Sequence, residues 1–279
     1  MPELPELEVV KEVLERRVVG TRVQACEVLP PGGALVVRDL THSGLAEGVT
    51  GTDIRTVERR GKFLLFSLQP PSTPSLFLVV NPKLTGRLQL AVPGQKRFAR
   101  THVVFSLSSG AELRYVDQTR MGQLYLTRDL ALVPDYTSLG PEPCSISLDE
   151  FRVRLKGYYG EIKGILTRGE LVAGIGNAYA DEILWAARIH PYRKRNRLTG
   201  DEIEHLYQAM QSTLQDAIAK VRAEMGEEIH REPRDFLAVH MKSGQPCPRC
   251  GTPISLIGAN QRVTNFCRTC QPGGLIRGM

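Results

Sequence analysis

The sequence predicts an α+β chain: an N-terminal helix plus an antiparallel β-sandwich, then a helical region and a small four-cysteine β-hairpin. Three observations carry this reading. Residues 21–133 are dominated by short strand-like runs without strand–helix alternation, which argues against a parallel α/β sheet. Residues 147–225 switch to helical spacing. Four of the six cysteines lie between Cys247 and Cys270.

The chain opens with MPELPELE. Pro5 suits a first helical position, where a missing N–H costs nothing, and Glu6 and Glu8 favour the positive end of a helix dipole. Leu7, Val10, Leu14 and Val18 recur at helical spacing and leave Glu12, Glu15 and Arg16 for solvent, so a helix is predicted over 5–18. Pro2 and Glu3 stand ahead of it without a structural purpose. Strand-like runs follow at 21–29, 62–68, 75–80 and 87–92. THVVFSLSSGAELRYVD (101–117) reads as two strands joined at Ser108-Ser109-Gly110. VPDYTSLGPEPCS (133–145) is rich in Pro, Gly and Ser and reads as a linker. Beyond it, Ser147 followed by Glu150 is a capping pattern, and Ile203, Leu206, Tyr207, Met210, Leu214, Ala217, Ile218 and Val221 form one apolar stripe. The predicted division is a β domain over 1–133, a linker over 134–146, a helical domain over 147–240 and the cysteine hairpin over 241–279.

With 279 residues, 42% of them hydrophobic, the chain can bury a sizeable core. No apolar run reaches bilayer-spanning length, and the acidic N-terminus lacks the order of a secretory signal, so a cytoplasmic protein is expected. The net charge is +6; residues 1–150 hold 17 bases and 17 acids, so the whole excess lies in 151–279. That imbalance favours a polyanionic partner.

Cys247-Pro-Arg-Cys250 and Cys267-Arg-Thr-Cys270 stand sixteen residues apart, a spacing at which each pair supplies two thiolates to one tetrahedral zinc. Four thiolates close the shell, so the zinc is expected to be structural. TPISLIGANQRVTNF between them reads strand–turn–strand with Arg262 near its tip. Alone, Arg262 is a solvated surface residue; against a polyanion it would fork onto a phosphate. Upstream, Gly174 and Gly176 precede a strong helix with Asn177 at its expected N-cap. Such a start is either an ordinary cap or a phosphate seat. The cluster Arg193-Lys194-Arg195-Asn196-Arg197 faces DNA or water.

MPELPE, the lysine of RRGKFLLF, LGPEP, GIGNAYADEILWAARIHP and the four-cysteine hairpin occur in one order. Together they resemble the formamidopyrimidine-DNA glycosylase / endonuclease VIII family across the whole chain, PELPE being closer to the formamidopyrimidine branch. The resemblance implies a helix-two-turn-helix in the helical domain and a monomer that clamps bent, double-stranded damaged DNA with the lesion flipped out, in the bacterial nucleoid. It implies Pro2 as nucleophile once Met1 is removed, Glu3 as the acid assisting sugar ring opening, Glu6 in support, and Lys62, Asn177 and Arg262 on phosphates. Arg120, His102 and Lys163 are further implied DNA contacts.

The chemistry is sound on its own terms. An α-amino group has a pKa of roughly 7.7–8.0 and is partly neutral at pH 7 without burial; a lysine needs a depression of about two or three units to match it. Proline's secondary amine gives an iminium that stays cationic and acts as an electron sink for elimination. A buried Glu3 is expected to hold a proton. Three features depart from the family. Leu84, Thr119 and Met121 stand where a methionine, an arginine and a phenylalanine commonly fill the hole left by the flipped base. The stretch after residue 226 is short where a longer loop commonly covers 8-oxoguanine, and Lys83 replaces a small glycine. Weak 8-oxoguanine excision is expected, with better activity on formamidopyrimidines, oxidised pyrimidines or abasic sites. Two alternatives are a specialised abasic-site lyase and a non-catalytic zinc protein that binds damaged DNA.

Overall fold

Helix α1 (Leu4–Val18) starts one residue earlier than Pro5 suggests, because Glu3 serves as its N-cap. The Glu3 carboxylate accepts the Glu6 N–H, and the Glu3 N–H donates to the Glu6 carboxylate at 2.8 Å. This reciprocal box satisfies two orphan donors. Residue 3 therefore belongs to the helix it was expected to precede. Leu7, Val10, Val13, Leu14 and Val18 are all buried. The computed structural model describes residues 1–70, 75–258 and 263–273. They form two compact units, Met1–Ser138 with Val221–Pro233, and Leu139–Lys220 with Arg234–Met279.

In the first unit α1 is followed by β1 (Val23–Val28), α2 (Gly33–Val36), β2 (Val37–Asp39), α3 (Leu45–Val49), β3 (Asp53–Arg60), β4 (Phe63–Gln69), β5 (Leu76–Asn81), β6 (Arg87–Ala91), β7 (Thr101–Leu107), β8 (Glu112–Val116) and β9 (Gln123–Thr127). One sheet runs β1-β7-β8-β6 and the other β2-β9-β5-β4-β3. All pairs are antiparallel except β2 with β9, a short parallel edge strand absent from the sequence reading. Val23, Phe105 and Leu113 of one sheet and Ile54, Phe66, Leu68 and Leu78 of the other line one shared apolar space. The sheets thus face each other, and each large side chain buried between them contributes about 1.5–3 kcal/mol.

The second unit carries α4 (Leu148–Lys156), α5 (Ile162–Leu166), α6 (Asn177–Ala186), most of α7 (Gly200–Met225) and the hairpin β10 (Ser255–Ile257) with β11 (Thr264–Phe266). Ser147 caps α4 by accepting the Glu150 N–H at 3.2 Å. Leu206, Met210, Leu214, Ala217 and Val221 of the α7 stripe are buried. Asn177 is not a cap: Gly176 holds that position, and the Asn177 amide is turned elsewhere.

Within the first unit, α1 is tied to the β3–β4 hairpin. Its two-residue turn is Gly61-Lys62, with Gly61 at φ 57°, the positive φ that a type II′ turn places on its first central residue. Arg59 Nε donates to Glu8 Oε2 at 2.6 Å, and Arg59 Nη1 to the Gly61 carbonyl at 3.1 Å. Burial pushes the Glu8 carboxyl up, but Arg59 and then Lys11 outweigh it and hold the group below its ordinary value. Glu8→Gln is expected to lower stability by about 1 kcal/mol at pH 7. Because the folded pKa is the lower one, this stabilisation is present above roughly pH 4.3 and vanishes as pH falls through the folded value. Thermal melts of variant and parent should converge in acid; an equal gap at both pH values would remove the ion pair as its cause.

Candidate catalytic and nucleic-acid-binding sites

Pro2 is buried and lines a mainly apolar pocket with Glu6, Leu7, Val10, Leu64, Arg87 and Tyr115 among its walls. Glu3 and Glu6 are each 1% exposed. The Met1 ammonium pairs with Glu232 Oε1 at 3.1 Å, and Glu232 also pairs with Arg87. Nucleophile candidate, acid candidate and supporting carboxylate are therefore neighbours on one helix front. Lys62 stands at the tip of the hairpin that Arg59 ties to α1.

The two loops carrying Leu84 and Met121 converge on Asp117, which is fully buried. One carboxylate oxygen accepts from the Thr85 hydroxyl, the Thr119 N–H at 3.1 Å and the Thr119 hydroxyl at 3.2 Å. The other accepts the Gly122 N–H at 2.8 Å and the Tyr115 hydroxyl at 3.4 Å. Burial, then the charge of Asp117, holds the Tyr115 phenol well above its ordinary range, so it is a donor here. Thr119 also bonds the Thr85 hydroxyl at 2.9 Å. It thus staples one loop to the other through both its hydroxyl and its N–H. Leu84 is half-buried and Met121 is 53% exposed, so an apolar pair sits on adjoining, mutually bonded loops. Lys83 adopts φ 47°, the left-handed region in which glycine is comfortable, which explains why a glycine suits that position. Arg120 is exposed at φ 56°.

His102, expected on DNA, is placed differently. It is 5% exposed, and its Nε2 meets the Asp117 carbonyl at 2.8 Å, which makes Nε2 the donor. It braces the loop from inside. Lys163 is likewise turned inward at 7% exposure. Its ammonium forms an ion pair with Asp181 Oδ1 at 2.6 Å and donates to the Val263 carbonyl at 3.0 Å and the Thr264 hydroxyl at 2.9 Å. Asn177 Nδ2 donates to the same Val263 carbonyl at 2.9 Å. Asp181 Oδ2 further receives the Asn265 N–H and side-chain amide and His240 Nδ1. Glu182 receives the N–H groups of Ala238, Val239 and His240, each at 2.8 Å. Arg262 lies outside the described residues. The basic cluster is partly engaged: Arg193 bonds Glu202 and the Arg197 carbonyl, Lys194 bonds Glu161, and Arg195 bonds the Leu155 carbonyl.

Asp117, Asp181 and Glu182 were missed by sequence reasoning. The available signal was two consecutive acids inside the apolar run NAYADEILWA. A buried acid in such a run implies dedicated donors.

The four sulfurs of Cys247, Cys250, Cys267 and Cys270 all lie within 4.8 Å of one another. Cys247 and Cys270 are 3.8 Å apart, and Cys250 and Cys267 3.4 Å. Zinc–sulfur bonds of about 2.3 Å set a tetrahedron edge near 3.8 Å, so the cluster fits one zinc. Without a cation the thiols diverge: hydrogen bonding from Thr252 brings Cys250 down to about 6, while burial and then the neighbouring sulfurs push Cys270 up to about 12. A divalent cation lets all four ionise together.

The models for the formamidopyrimidine-DNA glycosylase N-terminal domain, the formamidopyrimidine-DNA glycosylase H2TH domain and the zinc finger found in FPG and IleRS match residues 1–124, 139–227 and 244–273. The formamidopyrimidine-DNA glycosylase of Symbiobacterium thermophilum is 40% identical over 98% of this chain and 90% of its own length. This chain belongs to the formamidopyrimidine-DNA glycosylase family. Among solved family structures, Lactococcus lactis Fpg with abasic-site DNA superposes at a TM-score of 0.85, 31% identical, over 97% of this chain and all of that one. The same enzyme with oxidised-pyrimidine DNA gives 0.85 at 32% identity, over 98% of this chain and all of that one. The zinc-finger match and the sulfur cluster together make the cysteines a site for one structural zinc.

The Asp117 hub yields a direct test. A Cβ at Gly122 would stand 1.8 Å from the Tyr115 hydroxyl and 3.0 Å from the Pro82 carbonyl. Tyr115 is fully buried, and its hydroxyl is bonded to Asp117. Gly122→Ala is expected to cost about 2–4 kcal/mol, a fall of about 5–10 °C in Tm. Adding Tyr115→Phe removes the clashing oxygen and should recover part of the loss. An unchanged melt for Gly122→Ala would refute the packing described.

Proposed function

We propose that this family member is a bifunctional DNA glycosylase and abasic-site lyase that excises oxidised bases in base-excision repair. The observation that carries the reading is the front of α1. Pro2 and Glu6 line one pocket, and Glu3 caps the helix directly behind the nucleophile. A protein that only binds damaged DNA has no use for an amine and an acid held there, which disfavours the binding-only alternative.

In the proposed reaction Met1 is removed and the freed Pro2 nitrogen attacks C1′ of the damaged nucleotide. The C1′–base bond breaks, and the base leaves with the proton that the Pro2 nitrogen gives up on bonding to C1′. Glu3 delivers a proton to the ring oxygen as the sugar opens, giving an iminium between Pro2 and C1′. Loss of the C2′ proton expels the 3′ phosphate, a second elimination releases the 5′ phosphate, and water hydrolyses the iminium. Glu6 positions Glu3 through the capping box. Lys62, Arg120, Asn177 and Arg262 are proposed to hold phosphates, while Lys163 and His102 act from inside by bracing the segments that do so. The zinc supplies no chemistry in this scheme; it holds the hairpin. The substrate places the protein's work on chromosomal DNA in the bacterial nucleoid.

Borohydride trapping on abasic-site DNA tests the scheme. A covalent adduct is expected on the peptide that begins with Pro2, and Glu3→Gln should slow formation of that adduct by about 10²–10⁴-fold. Pro2→Gly retains a terminal amine but loses the permanently charged iminium, so slower trapping is expected. An adduct on any lysine would overturn the assignment.

The substrate range follows from the loops. Thr119 is spent on Thr85 and Asp117, so the pairing an arginine would offer the orphaned base is missing. Leu84 and Met121 offer only an apolar wedge. The segment after residue 226 also lacks the length of a base-covering loop. We propose weak 8-oxoguanine excision beside better turnover of formamidopyrimidines, oxidised pyrimidines and abasic sites. Single-turnover rates on matched duplexes should differ by about tenfold or more; equal rates for 8-oxoguanine and formamidopyrimidine would reject this preference.

A further inference from the structure

Trp185, the chain's sole tryptophan, lies at the end of α6 beside the cysteine cluster. Its indole Nε1–H donates to Cys247 Sγ at 3.4 Å. The ring face is covered by the Arg249 guanidinium, whose carbon lies 4.1 Å from the ring centroid. Arg249 Nη1 also donates to the Trp185 carbonyl at 3.0 Å. Arg249 belongs to the Cys247–Cys250 turn itself, so that turn grips the tryptophan from two sides. Cys247 is 2% exposed and packs with Val239, Ile254 and Cys267, with Trp185 against the same cluster.

This arrangement has a chemical consequence. Four thiolates on one zinc leave a net double negative charge, concentrated on sulfur. A sulfur shielded from water receives no hydrogen bonds from solvent, and indole is a donor only. Partners that bond a metal ligand from behind fix its orientation and tune its basicity, and their loss typically costs about 10–100-fold in metal affinity or activity.

We propose that Trp185 and Arg249 form an outer bonding layer of the zinc site. The indole N–H orients Cys247 and takes up part of its sulfur charge, and the guanidinium locks the ring while offsetting the cluster's negative charge. Trp185 is a positioning residue for zinc retention, distinct from any contact with DNA.

Trp185→Phe keeps a ring for Arg249 and removes the N–H. The full-length protein carrying one zinc is mixed with excess chromophoric chelator, and zinc transfer is timed. Release about tenfold faster than in the parent is expected; anything beyond about threefold supports the proposal and anything less overturns it. A second measurement stands if the variant fails to fold. The parent is loaded with NMR-active cadmium, and the single indole N–H signal is examined for a correlation to the metal through the N–H···S bond. Its presence supports the assignment, and its absence overturns it. A parent chain purified without zinc would overturn the proposal together with the zinc site.

Discussion

Taking a carboxylate out of water is so unfavourable that the protein must surround it with donors, and two such carboxylates organise this molecule. Asp117 gathers Thr85, Thr119, Tyr115 and the Gly122 N–H. Asp181 gathers Lys163, His240 and Asn265. In each case the donors come from segments far apart in sequence, so satisfying the charge brings those segments together. Removing such a carboxylate would strand its partners, at a cost of about 3–5 kcal/mol where one of them is a buried ammonium. The payment is made in desolvation, and the return is loop position.

The loops around Asp117 show how a change of residue type alters a site without loosening it. The exposed Thr119 spends its hydroxyl on Thr85 and Asp117. What remains outward is apolar and short, Leu84 with Met121, on a frame held by five hydrogen bonds to one side chain.

Much of this was legible in the chain. The helical stripe of α7 reads directly from apolar spacing, and the metal site reads from two cysteine pairs because thiolate spacing is a local property. Glu3 was harder. Its capping role depends on the backbone at positions 3–6, so it was assigned to chemistry alone when it serves the helix as well. Strands β2 and β3 lie at the two edges of their sheet, and a three-residue strand or one of mixed charge such as DIRTVERR carries little apolar alternation. His102 and Lys163 were expected on DNA because the family resemblance implied it. Whether a cation points outward depends on what lies behind it, and the acceptors behind Lys163 come from a segment about a hundred residues later. No local pattern records that.

The zinc hairpin follows from the same arithmetic of size. Two three-residue strands cannot hold a hairpin alone in water. The chain stabilises this one twice, with a closed metal shell at its base and with α6 along its flank. Asn177, Asp181 and Trp185, spaced four residues apart and so on one helix face, bond Val263, Asn265 and Cys247 in turn. Glu182, beside them, secures the turn at residues 238–240. One ten-residue helix thereby fixes residues spanning the module. A metal in such a place can be inert and still indispensable: losing it would free the sulfurs, and the remaining hydrogen bonds would have to hold alone a hairpin too small to bury a core.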